Sequence, residues 1–227
     1  MELSVVIVSW KVKDKLRTNL DALFNSQGDF KFEVIVVDNN SEDGTTQMIL
    51  NEFPQVTLIA NNTNRGFAAA NNQALALTAG NFILLLNPDM RVFPDTLEKC
   101  LAAAKSNSQA TVSGCHLVSE QGETVKQVRR FPKFFDQLLL TLKVPHVFPS
   151  VLNHYLWADF DYQKPARVDS IRGAFFLINR ALYQKISGHP YPLLDERYFI
   201  WFEEVDFCRE VYRLGGEIGR ASCRERV

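Results

Sequence analysis

Cysteine is scarce in this chain, and its spacing carries no pattern. Cys100, Cys115, Cys208 and Cys223 are scattered over 227 residues with no Cys-x-x-Cys pair. That argues against a disulfide framework and against a zinc cluster, and it fits a reducing cytoplasm. Net charge is nearly absent too, with 25 Lys and Arg against 26 Asp and Glu. Nothing electrostatic therefore favours nucleic acid as a partner. No apolar run approaches the roughly 20 residues of a membrane-spanning helix. The N-terminus has no basic region and enters a strand-like run at once, so no signal peptide is expected. The turns after the strands carry neither Gly-x-Gly-x-x-Gly nor a P-loop, which counts against a dehydrogenase and a P-loop NTPase. The histidines, at 116, 146, 154 and 189, show no metal spacing and no Ser-His-Asp arrangement.

What is present is a large apolar share, 46% of residues, enough for a substantial core. Leu3–Trp10, Phe32–Val37, Val56–Ile59 and Phe82–Leu86 read as strands, rich in β-branched or uniformly apolar residues. Between them, Lys13–Ser26, the stretch from Thr45 or Thr46 to Phe53, and Phe67–Thr78 read as helices, the last stopped by Gly80. Strand and helix alternate, which predicts an α/β fold with a parallel, doubly wound sheet. Further on, Pro94–Ser106 reads as a helix, Ala110–Leu117 as a strand, Val168–Asn179 as strand-like around Gly173, and Tyr198–Leu214 as carrying a helix. Residues 131–160 are less regular: Phe, Leu and Val interleaved with Lys, Arg and His. Two readings stand there, a core-packing helical insertion and an amphipathic patch that touches a membrane or a lipid-linked substrate. No linker divides the chain.

The chemistry-bearing residues gather where such a sheet would place them. Ser9-Trp10, Asp38 and Asn87-Pro88-Asp89 all follow strands, at the carboxyl edge where open α/β sheets bind ligands. Asp38 can accept hydrogen bonds from a nucleobase or ribose. Asn64-Arg65-Gly66 can bring a cation to a diphosphate, with Gly66 allowing close backbone approach. Asp89 can bind Mg²⁺ or Mn²⁺, which favour carboxylates and keep phosphate oxygens and waters as further ligands. Each has a plain alternative: a polar strand end, a solvated surface arginine, an ordinary turn. A second acidic cluster is Glu203-Glu204-Val205-Asp206. On a helix, Glu204, Cys208 and Val211 share one face, so Glu204 borders the apolar stripe while Glu203 and Asp206 point more outward. A carboxylate half in apolar surroundings has a raised pKa and can serve as general base; acids in a first helical turn also simply suit the helix dipole.

Several stretches, in order, carry a family likeness: Ser4–Trp10; Val36–Gly44; Asn64–Asn72; Leu85–Asp89; Arg172–Ile178; and Leu194–Asp206. In these the chain resembles the family 2 glycosyltransferases of GT-A fold, most closely a rhamnosyltransferase-like branch that builds bacterial surface polysaccharides. The resemblance implies a GT-A type (Rossmann-like), mostly parallel sheet flanked by helices, in a single domain. It implies inverting transfer of a sugar from a nucleoside-diphosphate sugar, dTDP-rhamnose being the branch's common donor, to a saccharide or lipid-linked acceptor. It places Ser9, Trp10, Asp38, Asn40, Arg65 and Asn87 at the nucleotide, Asp89 at a Mg²⁺ or Mn²⁺ ion, and Gly173, Ala174 and Trp201 on the acceptor side. Glu204 takes the place of the catalytic base, with Glu203 the runner-up. Two positions depart from the pattern: Asn87 replaces the first acid of the metal motif, and Glu204 stands in for aspartate. A nucleotidyltransferase of similar fold and a non-catalytic sugar-nucleotide-binding module are the alternatives. The expected setting is cytoplasmic, at the inner face of the cell membrane through 131–160.

Residues 217–227 have no apolar periodicity and resemble a translated cloning or sequencing scar. The expected domain is therefore 1–216, C-terminally truncated.

Overall fold

The computed structural model describes residues 1–107, 109–144 and 147–226, without the side chains of Pro149 and 220–226. The strands are β1 (Leu3–Ser9), β2 (Phe32–Asp38), β3 (Thr57–Ala60), β4 (Phe82–Leu86), β5 (Ala110–Val118), β6 (Val128–Arg129), β7 (Ala166–Arg167), β8 (Ser170–Ile171), β9 (Phe175–Asn179) and β10 (Glu217–Arg226). The α-helices are α1 (Lys13–Phe24), α2 (Thr45–Glu52), α3 (Phe67–Leu75), α4 (Thr96–Ser106), α5 (Phe134–Thr141), α6 (Arg180–Ser187) and α7 (Glu203–Arg213).

Eight strands form one sheet in the order β3-β2-β1-β4-β9-β5-β10-β7, and β6 pairs with β8 in a small second sheet. The first four strands are parallel. β9 runs antiparallel to both β4 and β5, so the sheet is mostly parallel rather than uniformly so. Alternation along the strands fixes two cores. Val5, Ile7, Leu84, Leu86 and Phe175 face Leu16 and Leu20 of α1 and Leu97 and Leu101 of α4. Val6, Val8, Ile83, Leu85 and Phe176 face Ala70 and Ala74 of α3, Tyr183 of α6 and Phe207 of α7. Helices thus cover both faces, which is why Val5–Val8 of β1 and all of β4 are apolar at consecutive positions. Among the described residues, no helix is long and apolar enough to cross a membrane.

The structure departs from the expected elements in several places. Gly80 is not a helix cap, since α3 already ends at Leu75. It lies against β1, where an added Cβ would meet the Ser4 amide nitrogen at 2.5 Å. The strand expected over Val168–Asn179 breaks into β8 and β9, with Gly173 in the gap. The helix expected from Tyr198 begins only at Glu203, because Trp201 and Phe202 sit at φ 70° and 73°, a left-handed conformation that no helix continues through. Residues 131–160 fit the core-packing reading only in part. Leu152 is buried and Trp157 and Phe160 pack on the core, whereas α5 buries none of its residues. Glu217–Arg226 lies parallel to β5, with irregular register.

Candidate functional site

Three strand ends are tied together by one residue, Asn39. The Asn39 amide donates to the Ser9 carbonyl at 2.8 Å. Its side-chain nitrogen donates to Asn64 Oδ1 at 2.8 Å and the Gly66 carbonyl at 3.2 Å. Its side-chain oxygen accepts from the Arg65 amide at 3.0 Å and from Asn61 Nδ2 at 3.2 Å. Asn39 therefore fixes the loop after β3 against the ends of β1 and β2. It lay unremarked between Asp38 and Asn40, because its role is tertiary and leaves no local signal.

Asp38 is buried and largely engaged. Its carboxylate accepts from the Ser41 amide at 3.1 Å and the Thr46 hydroxyl at 2.7 Å, which shapes the turn into α2. Asn40, at φ 64°, sits in that turn. Ser9 is fully buried, and among the described residues its hydroxyl has no partner. Trp10 is about half exposed, with Lys11 Nζ 5.4 Å from its ring centroid. Arg65 is exposed, and among the described residues its guanidinium makes no hydrogen bond or ion pair.

The next sector of the same edge is a cleft of about 320 Å³. It brings together Asn87 and Asp89 after β4, Gly173 and Ala174 before β9, and Trp201, Glu203 and Glu204 at the start of α7. Ser9, Trp10, Asp38, Asn40 and Arg65 do not line it. They adjoin it through Gly66 and Phe67, the latter being part of its wall. Two contacts set the register across the cleft. The Asn87 amide donates to the Ala174 carbonyl at 3.0 Å, and Asn19 of α1 donates to the Asn87 carbonyl at 2.9 Å.

The two glutamates differ from expectation. Glu203 does not point outward. It is 5% exposed, lines the cleft, and has one carboxylate oxygen buried without a partner. The left-handed Trp201-Phe202 entry sets the phase of α7 so that its first residue turns inward. Burial pushes the Glu203 carboxyl up to about 7, helped by the charge of Glu204. Burial also raises Glu204, against a smaller opposing pull from Arg172. Glu204 is half-buried, with one oxygen likewise buried and unpartnered. A Cβ at Gly173 would lie 3.6 Å from Glu204 Cβ, so the break between β8 and β9 supplies the space beside this carboxylate. Arg172, on the cleft wall, went unassigned in the sequence; a cation beside a glycine in a strand break was the available signal.

A metal at this site would have one carboxylate from the chain. Among the described residues, no three His, Cys, Asp or Glu side chains gather around one point. Asp89 is exposed at the cleft and free to turn toward a ligand. That donor set fits Mg²⁺ or Mn²⁺ held jointly by one carboxylate and substrate phosphate oxygens.

The mostly parallel sheet with a cleft at its carboxyl edge is a GT-A type fold. Solved structures agree on the fold. The TarS 1-349 structure from S. aureus in complex with UDP has a TM-score of 0.67 at 18% identity, over 100% of this chain and 60% of that one. The mannosyltransferase PcManGT from Pyrobaculum calidifontis, in complex with GDP-Man and Mn²⁺, has a TM-score of 0.66 at 18% identity, over 100% and 56%. Residues 4–186 match the family model Glycosyl transferase family 2, and the chain belongs to that family. Among curated relatives, the uncharacterized glycosyltransferase YfnE of Bacillus subtilis (strain 168) is 36% identical over 118 residues, 50% of this chain and 30% of that protein. The N-acetylglucosaminyl-diphospho-decaprenol L-rhamnosyltransferase of Mycobacterium tuberculosis is 26% identical over 200 residues, 83% of this chain and 61% of that protein. The chain thus spans 30% and 61% of the length of these two relatives.

Proposed function

We propose that the chain transfers a sugar, with inversion, from a nucleoside-diphosphate sugar to a hydroxyl of a saccharide or lipid-linked acceptor. The observation that supports this is the shared cleft. Asp89 and Asn87 lie on one wall, and Glu203 and Glu204 on another, each with a buried oxygen that lacks a protein partner. In the reading, the nucleoside lies along Ser9, Trp10, Asp38 and Asn40, and Arg65 approaches the diphosphate. A divalent cation held by Asp89 would neutralise charge on the diphosphate leaving group.

Glu204 takes the proton from the acceptor hydroxyl as that oxygen attacks the anomeric carbon. A single displacement needs one base and no covalent nucleophile. Gly173 leaves room for the acceptor beside Glu204, Ala174 continues that wall, and Trp201 offers an exposed ring for a sugar face to stack on. Glu203, with a carboxyl near 7, is the runner-up base. The relative from Mycobacterium tuberculosis is named as a rhamnosyltransferase acting on a diphospho-decaprenol acceptor. It supports a deoxysugar donor such as dTDP-rhamnose and a role in surface polysaccharide synthesis at the cytoplasmic side of the cell membrane. Family membership weighs against a nucleotidyltransferase.

Calorimetric titration with dTDP, UDP and GDP, each with and without Mn²⁺ or Mg²⁺, tests the donor half. Metal-dependent binding of one of them, followed by transfer from the matching sugar, is expected. Binding without turnover would mark a sugar-nucleotide-binding module instead.

A further inference from the structure

Helix α5 carries Phe134, Phe135, Leu138 and Leu140 at its surface and buries nothing. Phe134 is 76% exposed and Phe135 71%. The apolar surface continues past the helix through Leu142, Val147 and Phe148, all more than half exposed. A folded chain rarely leaves such a contiguous patch to water unless something covers it.

The charge around the patch says what. Between 126 and 154 the sequence holds five Lys or Arg and one Asp, in a chain whose net charge is −1. Lys126, Lys133 and Lys143 are exposed. Arg129 and Arg130, which precede the patch in the chain, are half-buried, Arg130 stacked 4.0 Å over the Trp157 ring. The acid, Asp136, is turned back to accept the Lys133 amide at 2.7 Å as the helix cap. An apolar face flanked by the exposed cations Lys133 and Lys143 matches an anionic lipid bilayer, where aromatic side chains enter the acyl boundary and lysines meet the headgroups.

We infer that α5, with Leu142, Val147, Phe148 and Val151, forms a docking surface for an anionic membrane. The surface is narrower than 131–160, because the part from Leu152 onward packs on the core. A groove of about 380 Å³ links it to the site: Lys133, Phe134 and Gln137 line it on one side, Phe202 and Val205 on the other. Phe202 is followed by Glu203 in the cleft. The docking surface thus lies at the acceptor-side rim, where a lipid-linked acceptor would present its sugar. That placement rests on the glycosyltransferase reading, but the binding itself does not.

Co-sedimentation of the 227-residue chain with vesicles tests it, using phosphatidylcholine alone and phosphatidylcholine mixed with phosphatidylglycerol, at low and high salt. Partition into the anionic vesicles, weakened by salt, is expected. The double substitution Phe134→Asp with Phe135→Asp should weaken partition about tenfold or more. Lys133→Glu and Lys143→Glu should each weaken it about fivefold at low salt. All four residues are exposed, so unchanged thermal unfolding should accompany the loss. No partition, equal partition into neutral vesicles without salt dependence, or self-association that covers the patch would overturn the inference. Vesicle binding is read without turnover, so a chain that binds lipid but transfers no sugar would count against the proposed function alone.

Discussion

Gly66 faces the carbonyl oxygen of Phe199 so closely that a Cβ built on Gly66 would lie 2.7 Å from it. The same oxygen accepts the Phe67 amide at 2.7 Å, satisfying one of the first N–H groups of α3. Gly66 has φ 83° and ψ 171°, a conformation only glycine adopts without strain. This contact seats the 195–202 loop, and with it the start of α7, on the loop held by Asn39. Gly66→Ala should destabilise the chain by about 1–3 kcal/mol, seen as a lower unfolding midpoint. Transfer should fall mainly in kcat, with nucleotide affinity nearly kept, because the displaced element carries Glu203 and Glu204.

Asn39→Ala should cost more on the nucleotide side. It leaves the Arg65 amide and the Asn61 and Asn64 side chains short of partners, a loss of about 1–3 kcal/mol. Thermal unfolding should report the loss, and calorimetry should show weaker binding of whichever nucleotide the wild type prefers.

Glu204→Gln should abolish transfer and spare donor binding, while Glu203→Gln should leave measurable turnover. Single-turnover kinetics with the bound nucleotide sugar separate the two. If Glu203→Gln is the inactive variant and Glu204→Gln turns over, the base assignment reverses.

Glu203 makes stability depend on pH. Its folded carboxyl titrates near 7 against an ordinary 4.5, so the folded chain holds the proton more tightly than the unfolded chain does. The stabilisation is complete below about 4.5 and is lost as pH rises through about 7. The size is on the order of 2 kcal/mol. The raised Glu204 carboxyl acts in the same direction. Denaturant unfolding from pH 5 to 8 should show the wild type weakening, and Glu203→Gln weakening less.

Asp89→Asn should remove the part of nucleotide affinity that Mn²⁺ or Mg²⁺ adds, and leave metal-free affinity unchanged. Titration with and without the ion checks this directly.

The parallel half of the fold was legible in the sequence because its signal is local. Val5 to Val8 and Phe82 to Leu86 are apolar at consecutive positions only because helices cover both faces of the sheet. The polar residues ending those runs lie at the carboxyl edge of the sheet, and two of them, Asn87 and Asp89, line the cleft there. The inward turn of Glu203 was not legible, since it depends on two left-handed aromatic residues that favour no such conformation by type. Helix α6 was hidden because Asn179 ends β9 and also caps the helix, accepting from the Leu182 amide, so no break separates them. For 131–160, counting apolar residues could not tell an outward helix from an inward one. On the cleft wall Gly173 was marked in the sequence, whereas its neighbour Arg172 was not, since its approach to Glu204 is a tertiary contact.

That antiparallel strand also sets an order of assembly. β4 lies between β1 and β9, and Leu86 pairs with Phe175. During synthesis the N-terminal half can form β1 to β4 by short-range crossovers, yet Phe82–Leu86 stays an open edge until β9 has emerged. A chain interrupted anywhere between the two would expose five apolar residues with unpaired backbone groups, a template for aggregation rather than half a working enzyme. The hydrogen bond from Asn87 to Ala174 cannot form until β9 docks, so the Asn87–Asp89 wall meets Gly173 and Ala174 only after that strand has emerged.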